Sequence, residues 1–311
     1  MMRTGLLWLS EQQRVFRFVR SNGIARKFAS RFVAGETVET AIEAVRDLNR
    51  RQITATIDLL GESVHQESDA AQARDTYLRM LGQIAESSVQ SNVSVKLTQM
   101  GFDISEDVCF ANLSAILEQA TLRQNFVRLD MESSAYTQRT LDFFRNRLAP
   151  RYGPYVGVVI QSCLRRSETD VAQLIESQAR VRLCKGAYLE PSDVAFPDKA
   201  DVDKAYIRLM ERLLESGNYP GLATHDQAII ARAREFALAK RIDPSRFEFQ
   251  MLYGVRRDLQ DSLRRAGYNV RVYVPFGTQW YPYLMRRLAE RPANIAFFLG
   301  NVVREAVHRP A

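Results

Sequence analysis

The sequence of residues 271–294, RVYVPFGTQWYPYLMRRLAERPAN, changes its hydrophobic periodicity in the middle. Its first residues, together with Val270, are rich in β-branched and apolar side chains and predict a strand over 270–273. Pro275 and Gly277 interrupt this pattern, and residues 280–290 then follow with the spacing of a helix. The stretch therefore predicts one strand followed by one helix, which is the repeating unit of an α/β fold.

The same unit recurs upstream in the chain. Strands are predicted over residues 54–59, 93–97, 126–130, 156–160, 181–183, 221–224, 247–250 and 270–273. Helices are predicted over 70–91, 110–123, 138–148, 168–179, 202–215, 227–240, 256–266 and 280–290. Eight such units favour a closed (β/α)8 barrel over an open doubly wound sheet, since no Gly-x-Gly-x-x-Gly follows the first strand.

The segment before the first predicted strand has helical spacing. Residues 1–50 are therefore interpreted as an N-terminal helical extension, residues 51–295 as the barrel, and residues 296–311 as a C-terminal tail. No linker rich in Pro, Gly or Ser divides the alternation, so a single domain over 1–311 is expected.

Composition narrows the class of protein. The chain has 311 residues, of which 46% are hydrophobic and 25% charged, which is typical of a globular protein. Its first apolar run is too short to span a membrane, and no cleavage site of small residues follows that run. The three cysteines and three histidines show no metal-ligand spacing, so neither a zinc site nor a disulfide framework is expected, and a cytoplasmic location fits.

Polar residues occur at the carboxyl end of every predicted strand, where barrel enzymes build their sites. They are Asp58 with Glu62, Lys96, Asp130 with Glu132, Gln161 with Arg165, Arg182 with Lys185, Thr224 with His225 and Asp226, Gln250 with Tyr253, and Tyr273. Long cationic side chains at these ends, Lys96, Arg182 and Lys185, would repel one another around an empty mouth. This predicts an anionic occupant.

An arginine pair in the last helix strengthens that expectation. Arg286 and Arg287 follow Tyr283 by one helical turn, so ring and guanidinium groups share a face that can grip a carboxylate or phosphate. The alternative is that one arginine is solvated while Arg286 pairs with Glu290.

Two further positions suit an anion or a reaction. Gly186 and Ala187 directly follow a strand and would let backbone amides approach a phosphate, although Gly186 could simply turn the chain. His225 could be a catalytic base, or a histidine satisfied by local hydrogen bonds.

Seven ordered motifs carry a resemblance to a known family. They are VKLTQMG, RLDMES, VVIQSCLRRS, VRLCKGAYLEP, ATHD, FEFQMLYGVR and RVYVPFGTQWYPYLMRRLAERPAN, and the matching region extends from Asp58 to Asn294. The set resembles proline dehydrogenase in its monofunctional bacterial form. The chain is shorter than expected for the bifunctional form, which adds an aldehyde dehydrogenase domain.

The resemblance implies a distorted (β/α)8 TIM-like barrel that binds FAD. It implies oxidation of L-proline to Δ1-pyrroline-5-carboxylate, the first step of proline catabolism to glutamate, with electrons passed to a quinone. Pyrroline-5-carboxylate dehydrogenase is then the downstream functional partner. The net charge of +7 is interpreted as peripheral contact with anionic lipid on the inner face of the membrane.

Carried over position by position, the resemblance assigns roles to individual residues. Asp130 and Arg182 are implied as catalytic, with Arg182 near the flavin N5 and Asp130 ionised and orienting Lys96 and a tyrosine. The implied substrate residues are Lys96, Tyr273, Tyr283, Arg286 and Arg287. The implied cofactor residues are Met131, Gln161, Arg182, Lys185, Gly186, Ala187, Thr224 and His225. Glu62 is implied to pair with Arg286, while Cys184 is interpreted as a small apolar residue.

Two other classes remain as alternatives. Methylenetetrahydrofolate reductase is also a flavin barrel, but it would need a folate site and a nicotinamide donor. A basic binding protein without catalytic activity would show salt-dependent nucleic-acid binding, which the scattered basic residues do not favour.

Overall fold

The computed structural model describes residues 29–290 and contains a closed barrel of eight parallel strands in sequence order. The strands are β1 (Thr54–Leu59), β2 (Ser91–Val95), β3 (Val127–Leu129), β4 (Val156–Gln161), β5 (Arg180–Cys184), β6 (Gly221–Ala223), β7 (Glu248–Leu252) and β8 (Asn269–Phe276). Closure comes from β8 pairing with β1, from Thr54 beside Arg271 to Leu59 beside Phe276. The predicted (β/α)8 barrel is confirmed.

Helices cover the outside of the barrel. They are α1 (Val38–Arg50), α2 (Glu67–Glu86), α3 (Glu106–Leu122), α4 (Ser134–Phe143), α5 (Ala149–Tyr152), α6 (Ser167–Glu176), α7 (Lys199–Ser216), α8 (Gln227–Ala239), α9 (Arg257–Arg265) and α10 (Trp280–Glu290). Within residues 29–290, no helix has the length and apolarity needed to cross a bilayer. Predicted helical residues before 29, and the tail after 290, lie outside the described residues.

The eight predicted strands and eight predicted helices are present, several with boundaries that differ by one to five residues, and the end of α2 is among the largest differences. The helix predicted over 70–91 ends at Glu86, and Ser91 already belongs to β2. Ser88 has a φ of 52°, a left-handed conformation that usually falls to glycine or asparagine. Because a serine ends the helix here, the local sequence carries no glycine signal that would mark the boundary.

The strands bury apolar side chains outward against the helices and polar side chains inward. Along β7, Phe249 and Met251 belong to the main hydrophobic core, while Glu248 and Gln250 bond to other polar groups across the barrel interior. Because strand residues alternate between two faces, Glu248 and Gln250 both point into the barrel, at neighbouring layers of its interior. Most barrels of this kind fill the same space with branched apolar residues.

Two polar clusters occupy this interior. The amino-terminal cluster consists of Arg128, Arg180, Glu248 and Arg271, close to the starts of their strands. The carboxyl-terminal cluster consists of Asp58, Lys96, Asp130, Arg182 and Tyr273, toward the carboxyl ends of the strands.

A second, smaller core joins the segment 29–36 to the start of α10. Phe32 and Val33 pack there with Trp280 and Leu284. The indole Nε1 of Trp280 donates to Glu36 Oε1 at 3.1 Å. The segment thereby lies against the helix that carries the predicted arginine pair.

Candidate active site

Asp130 is the centre of the carboxyl-terminal cluster. Its Oδ1 accepts hydrogen bonds from Ser94 Oγ at 2.5 Å and from Arg182 Nη1 at 2.7 Å. Its Oδ2 accepts from the hydroxyl of Tyr273 at 2.7 Å. Donors from β2, β5 and β8 thus fix both carboxylate oxygens. The predicted bond from Asp130 to a tyrosine is present.

Lys96 bonds to a different carboxylate from the one predicted. Its Nζ lies 2.9 Å from Asp58 Oδ1, and both side chains are buried. The prediction that Asp130 orients Lys96 is therefore wrong as a direct contact. Ser94 pairs with Asp58 in the barrel register, and Lys96 is the next inward position on that side, which brings it beside Asp58.

Burial and charge set the protonation of this pair. Burial raises the pKa of Asp58 to about 6 against the opposing charge of Lys96. Burial alone would lower the pKa of Lys96, but the charges of Asp58 and Asp130 outweigh it and raise that pKa. Oδ2 of Asp58 is buried and has no hydrogen-bond partner among residues 29–290. Asp58 appeared in the sequence only as a polar strand end, and its pairing with Lys96 was missed.

Tyr273 is held as a neutral hydrogen-bond donor. Burial, with the charges of Asp130 and Asp58, raises its pKa well above the ordinary value. The guanidinium carbon of Arg182 lies 5.3 Å from its ring centroid. Tyrosine, arginine and aspartate therefore form one rigid unit.

The argument from cation repulsion is corrected by the structure. Lys185 Nζ lies 2.5 Å from Asp203 Oδ1 and 2.9 Å from Asp226 Oδ2. Lys96 and Arg182 also have carboxylate partners. Because the chain itself supplies these countercharges, the three cations do not require an anionic occupant. Which carboxylate meets which cation depends on barrel register, and spacing along the sequence does not reveal it.

Gly186 lies where no larger residue fits. Its φ is 105°, and an added Cβ would lie 2.4 Å from Cys163 Sγ and 2.9 Å from Gln161 Oε1. Gln161 is itself buried and donates from Nε2 to the carbonyl of Glu132 at 2.6 Å. Gln161, the last residue of β4, and Gly186, just after β5, therefore form a close-packed wall.

Thr224 and His225 follow β6 and are held by the backbone. His225 Nε2 accepts from the amide of Leu252 at 3.0 Å, so that nitrogen carries no proton. Thr224 Oγ1 accepts from the amide of Asp226 at 3.1 Å. This agrees with the alternative of a histidine satisfied by local bonds, and it leaves the implied cofactor contact as a prediction.

The cysteines near this wall are protonated. Burial raises the pKa of Cys184 to about 12 and that of Cys163 to about 11. Neither thiol is a nucleophile near neutral pH. The interpretation of Cys184 as a small apolar residue is supported.

The last helix brings an arginine to the implied substrate residues. The guanidinium carbon of Arg287 lies 5.3 Å from the ring centroid of Tyr283, which is buried. The side chains of Arg286 and Glu290 lie outside the described residues, so the implied pairing of Glu62 with Arg286 and the alternative pairing with Glu290 stay predictions.

The arrangement fits a flavin. Within the described part of the chain, Arg182 uses Nε and Nη1 for protein acceptors, which leaves Nη2 for a bound molecule. Gly186, with a φ of 105°, turns the backbone just after the end of β5. Among residues 29–290 no cluster of His, Cys, Asp or Glu could hold a metal ion.

Fold and site together define a (β/α)8 barrel enzyme with a polar site at the carboxyl ends of its strands. The sequence model described as proline dehydrogenase matches residues 41–298. The chain belongs to the proline dehydrogenase family.

Curated relatives support this membership over nearly the whole chain. Proline dehydrogenase 1 of Bacillus subtilis (strain 168) is 41% identical over 305 residues, covering 98% of this chain and 100% of that protein. Proline dehydrogenase of Deinococcus radiodurans is 40% identical and covers 97% of this chain and 98% of that protein.

A solved structure shares the fold. Proline utilization A from Bdellovibrio bacteriovorus, inactivated by N-propargylglycine, superposes with a TM-score of 0.81 at 27% identity. The match covers 89% of this chain and 34% of that longer chain.

Proposed function

We propose that this protein oxidises L-proline to Δ1-pyrroline-5-carboxylate with FAD as the hydride acceptor, the first step of proline catabolism. The observation that carries the proposal is Asp130, which bonds both Arg182 and Tyr273 at the carboxyl end of a proline dehydrogenase family barrel. Amino-acid side chains do not accept a hydride, so bound FAD would supply the oxidant.

The residues of β5 and its neighbours would hold the cofactor. Arg182 would offer Nη2 to the flavin, and Gly186 is a proposed backbone contact. The remaining proposed contacts are Met131, Gln161, Lys185, Ala187, Thr224 and His225. Lys185 would contact the cofactor with its charge already balanced by Asp203 and Asp226.

Proline would bind through its carboxylate. Lys96 donates one Nζ proton to Asp58, and its two remaining protons can reach a carboxylate. Arg286 and Arg287 would complete the clamp, with Tyr273 and Tyr283 beside the ring. The barrel and α10 would then hold the substrate from two sides.

The reaction requires the proline nitrogen to lose its proton so that its lone pair can assist hydride loss from C5. The rate of proline oxidation should therefore rise with pH. Asp130 has both oxygens committed to donors, so its role is to fix Arg182 and Tyr273 rather than to accept a proton.

The reduced flavin would pass its electrons to a quinone. The product, Δ1-pyrroline-5-carboxylate, would be the substrate of pyrroline-5-carboxylate dehydrogenase. The net charge of +7 supports peripheral contact with anionic lipid, close to a quinone pool. Co-sedimentation with anionic vesicles should fall as salt rises, and insensitivity to salt would count against this contact.

The function is tested by the colour of the purified protein and its response to substrate. Protein loaded with FAD should absorb visible light, and L-proline should bleach the flavin in the absence of oxygen. NADH should leave the flavin oxidised. Bleaching by NADH and not by proline would instead favour a reductase of the methylenetetrahydrofolate type.

A further inference from the structure

Gln250 bridges the two polar clusters of the barrel. Its Oε1 accepts from Arg182 Nε at 2.5 Å, and its Nε2 donates to Glu248 Oε1 at 2.6 Å. Gln250 and Glu248 are 5% and 3% exposed, so water competes for neither bond. An amide that both donates and accepts in this way has one orientation only.

Glu248 is a fixed anchor for this amide. Arg271 Nε donates to its Oε1 at 2.7 Å, and the hydroxyl of Tyr219 donates to its Oε2 at 3.2 Å. Burial would raise the pKa of Glu248, but the charge and hydrogen bond of Arg271 outweigh it and lower that pKa. The anchor therefore stays ionised.

A glycine on the neighbouring strand makes room for the amide. A Cβ added to Gly221 would lie 2.4 Å from Gln250 Nε2 and 2.8 Å from its Cδ. Gly221 does not have a positive φ, so its conformation does not demand glycine. The space it leaves is filled by the Gln250 amide.

We propose that Gln250, anchored by Glu248 and accommodated by Gly221, is a positioning residue that fixes the Arg182 guanidinium against the flavin; this rests on the proposed function. A guanidinium is planar, so bonds at Nε and Nη1 define its plane and hence the direction of Nη2. With Gln250 removed, Arg182 keeps the bonds of Nη1 to Asp130 and Ser94 and its contact with the Tyr273 ring, but it loses the bond at Nε that fixes the guanidinium plane. The charge of Arg182 is unchanged, but the direction of Nη2 is no longer fixed.

The test uses two variants that act on the amide and two matched controls. Gln250→Met removes the amide, whereas Gly221→Ala keeps every polar group and displaces the amide. Gln260→Met removes another buried glutamine, whose Nε2 donates to the carbonyls of Leu252 and Val255. Gly82→Ala adds a methyl group in α2, where nothing lies within 4 Å.

Four quantities are measured on each protein loaded with FAD: flavin content, proline Kd, the single-turnover rate of flavin reduction, and the midpoint potential of the flavin. Gln250→Met should slow reduction at least tenfold, and Gly221→Ala should slow it severalfold, since misplacement of about 1 Å can cost roughly a hundredfold. Proline Kd should stay within about twofold, because its carboxylate binds elsewhere. The midpoint potential should become more negative, since a cation lies less closely against the reduced flavin. Both controls should match the wild-type protein.

A charge-conserving exchange provides rescue. In Glu248→Gln/Gln250→Glu, residue 250 still accepts from Arg182, and one carboxylate remains in the pair. This variant should recover part of the reduction rate and potential lost in Gln250→Met. It also serves as the test if Gln250→Met fails to fold.

Wild-type reduction rate and potential in both Gln250→Met and Gly221→Ala would overturn the positioning role. So would equal losses in Gln260→Met. Failure of L-proline to reduce the wild-type flavin is a separate result, which would overturn the proposed function itself.

Discussion

The two polar clusters of the barrel use buried arginine in different ways. The amino-terminal cluster contains three arginines and one carboxylate, Glu248, which forms its salt bridge with Arg271. In the carboxyl-terminal cluster Arg182 has Asp130 and Lys96 has Asp58. The first cluster therefore carries excess positive charge inside the protein, whereas the second is balanced pair by pair.

Carbonyl groups and an aromatic ring also stabilise the excess charge. Arg128 Nη1 donates to the carbonyls of Val158 and Arg180, and the ring of Phe126 contacts both guanidinium groups, at 4.7 Å from Arg128 and 4.2 Å from Arg180. Burial, followed by the charges of Arg182 and Arg180, lowers the pKa of Arg128 well below its ordinary value. Arg128 is held by carbonyls and a ring near the starts of the strands, whereas Arg182 is held by Asp130 near their carboxyl ends, where barrel enzymes bind ligands.

The largest effect should come from the carboxyl-terminal cluster. Arg182→Met removes the cation that we propose lies against the flavin, and the single-turnover rate of flavin reduction by proline should fall about 10²- to 10³-fold. The loss of folding stability in Arg182→Met should be smaller than the loss of activity. A wild-type reduction rate would mean that the two clusters do not differ in role.

The substrate clamp should respond in binding rather than in chemistry. Arg287→Met should raise the KM for proline roughly 10- to 100-fold, since a hydrogen bond between charged groups is lost, while FAD stays bound. Arg212→Met, an exposed change on α7, is the control. Unchanged proline kinetics in Arg287→Met would refute the clamp.

The amino-terminal cluster should show the opposite pattern. Arg128→Met leaves the carbonyls of Val158 and Arg180 without their donor, which should lower the free energy of unfolding by about 1–3 kcal/mol. Flavin reduction per folded molecule should change little. Denaturant unfolding measures this, with the exposed Arg123→Met expected within about 0.5 kcal/mol of wild type. A reduction rate that falls as far as in Arg182→Met would erase the distinction.

The smallest effect is a pH dependence of anion binding beside Lys96. The pKa of Asp58 is raised to about 6, so lowering the pH through 6 removes a negative charge next to the clamp. A proline analogue with an ether oxygen in place of the ring nitrogen should bind roughly three- to tenfold more tightly at pH 5 than at pH 7. Titration of the flavin spectrum reports its Kd.

Asp58→Asn is the matched variant for that measurement. Its binding should not change across the same pH range, because residue 58 no longer titrates. A tightening that persists in Asp58→Asn would assign the pH dependence to another group.

The fold was accessible from sequence because hydrophobic periodicity is a local property. Strand β1 and helix α10 have the predicted bounds, and the strand ends include every residue of the carboxyl-terminal cluster. The ion pairs were harder to predict from the sequence, because the contact of Lys96 with Asp58 depends on the register of β1 with β2. The roles of Glu248 and Gln250 were missed because barrel interiors are expected to be apolar. Polar residues at alternate positions of β7 and β8 were the available signal.

Closure of the barrel by β8 also governs how the chain can fold during synthesis. Strand β1 is made early, yet its partner on one side, β8, lies near the other end of the described chain. Until residue 276 leaves the ribosome, β1 presents an open edge, with the carbonyl of Ala55 still lacking its bond from Arg271. Every nascent chain therefore passes through an incomplete barrel with an exposed strand edge. During that interval the unpaired edge of β1 is available for pairing with another chain.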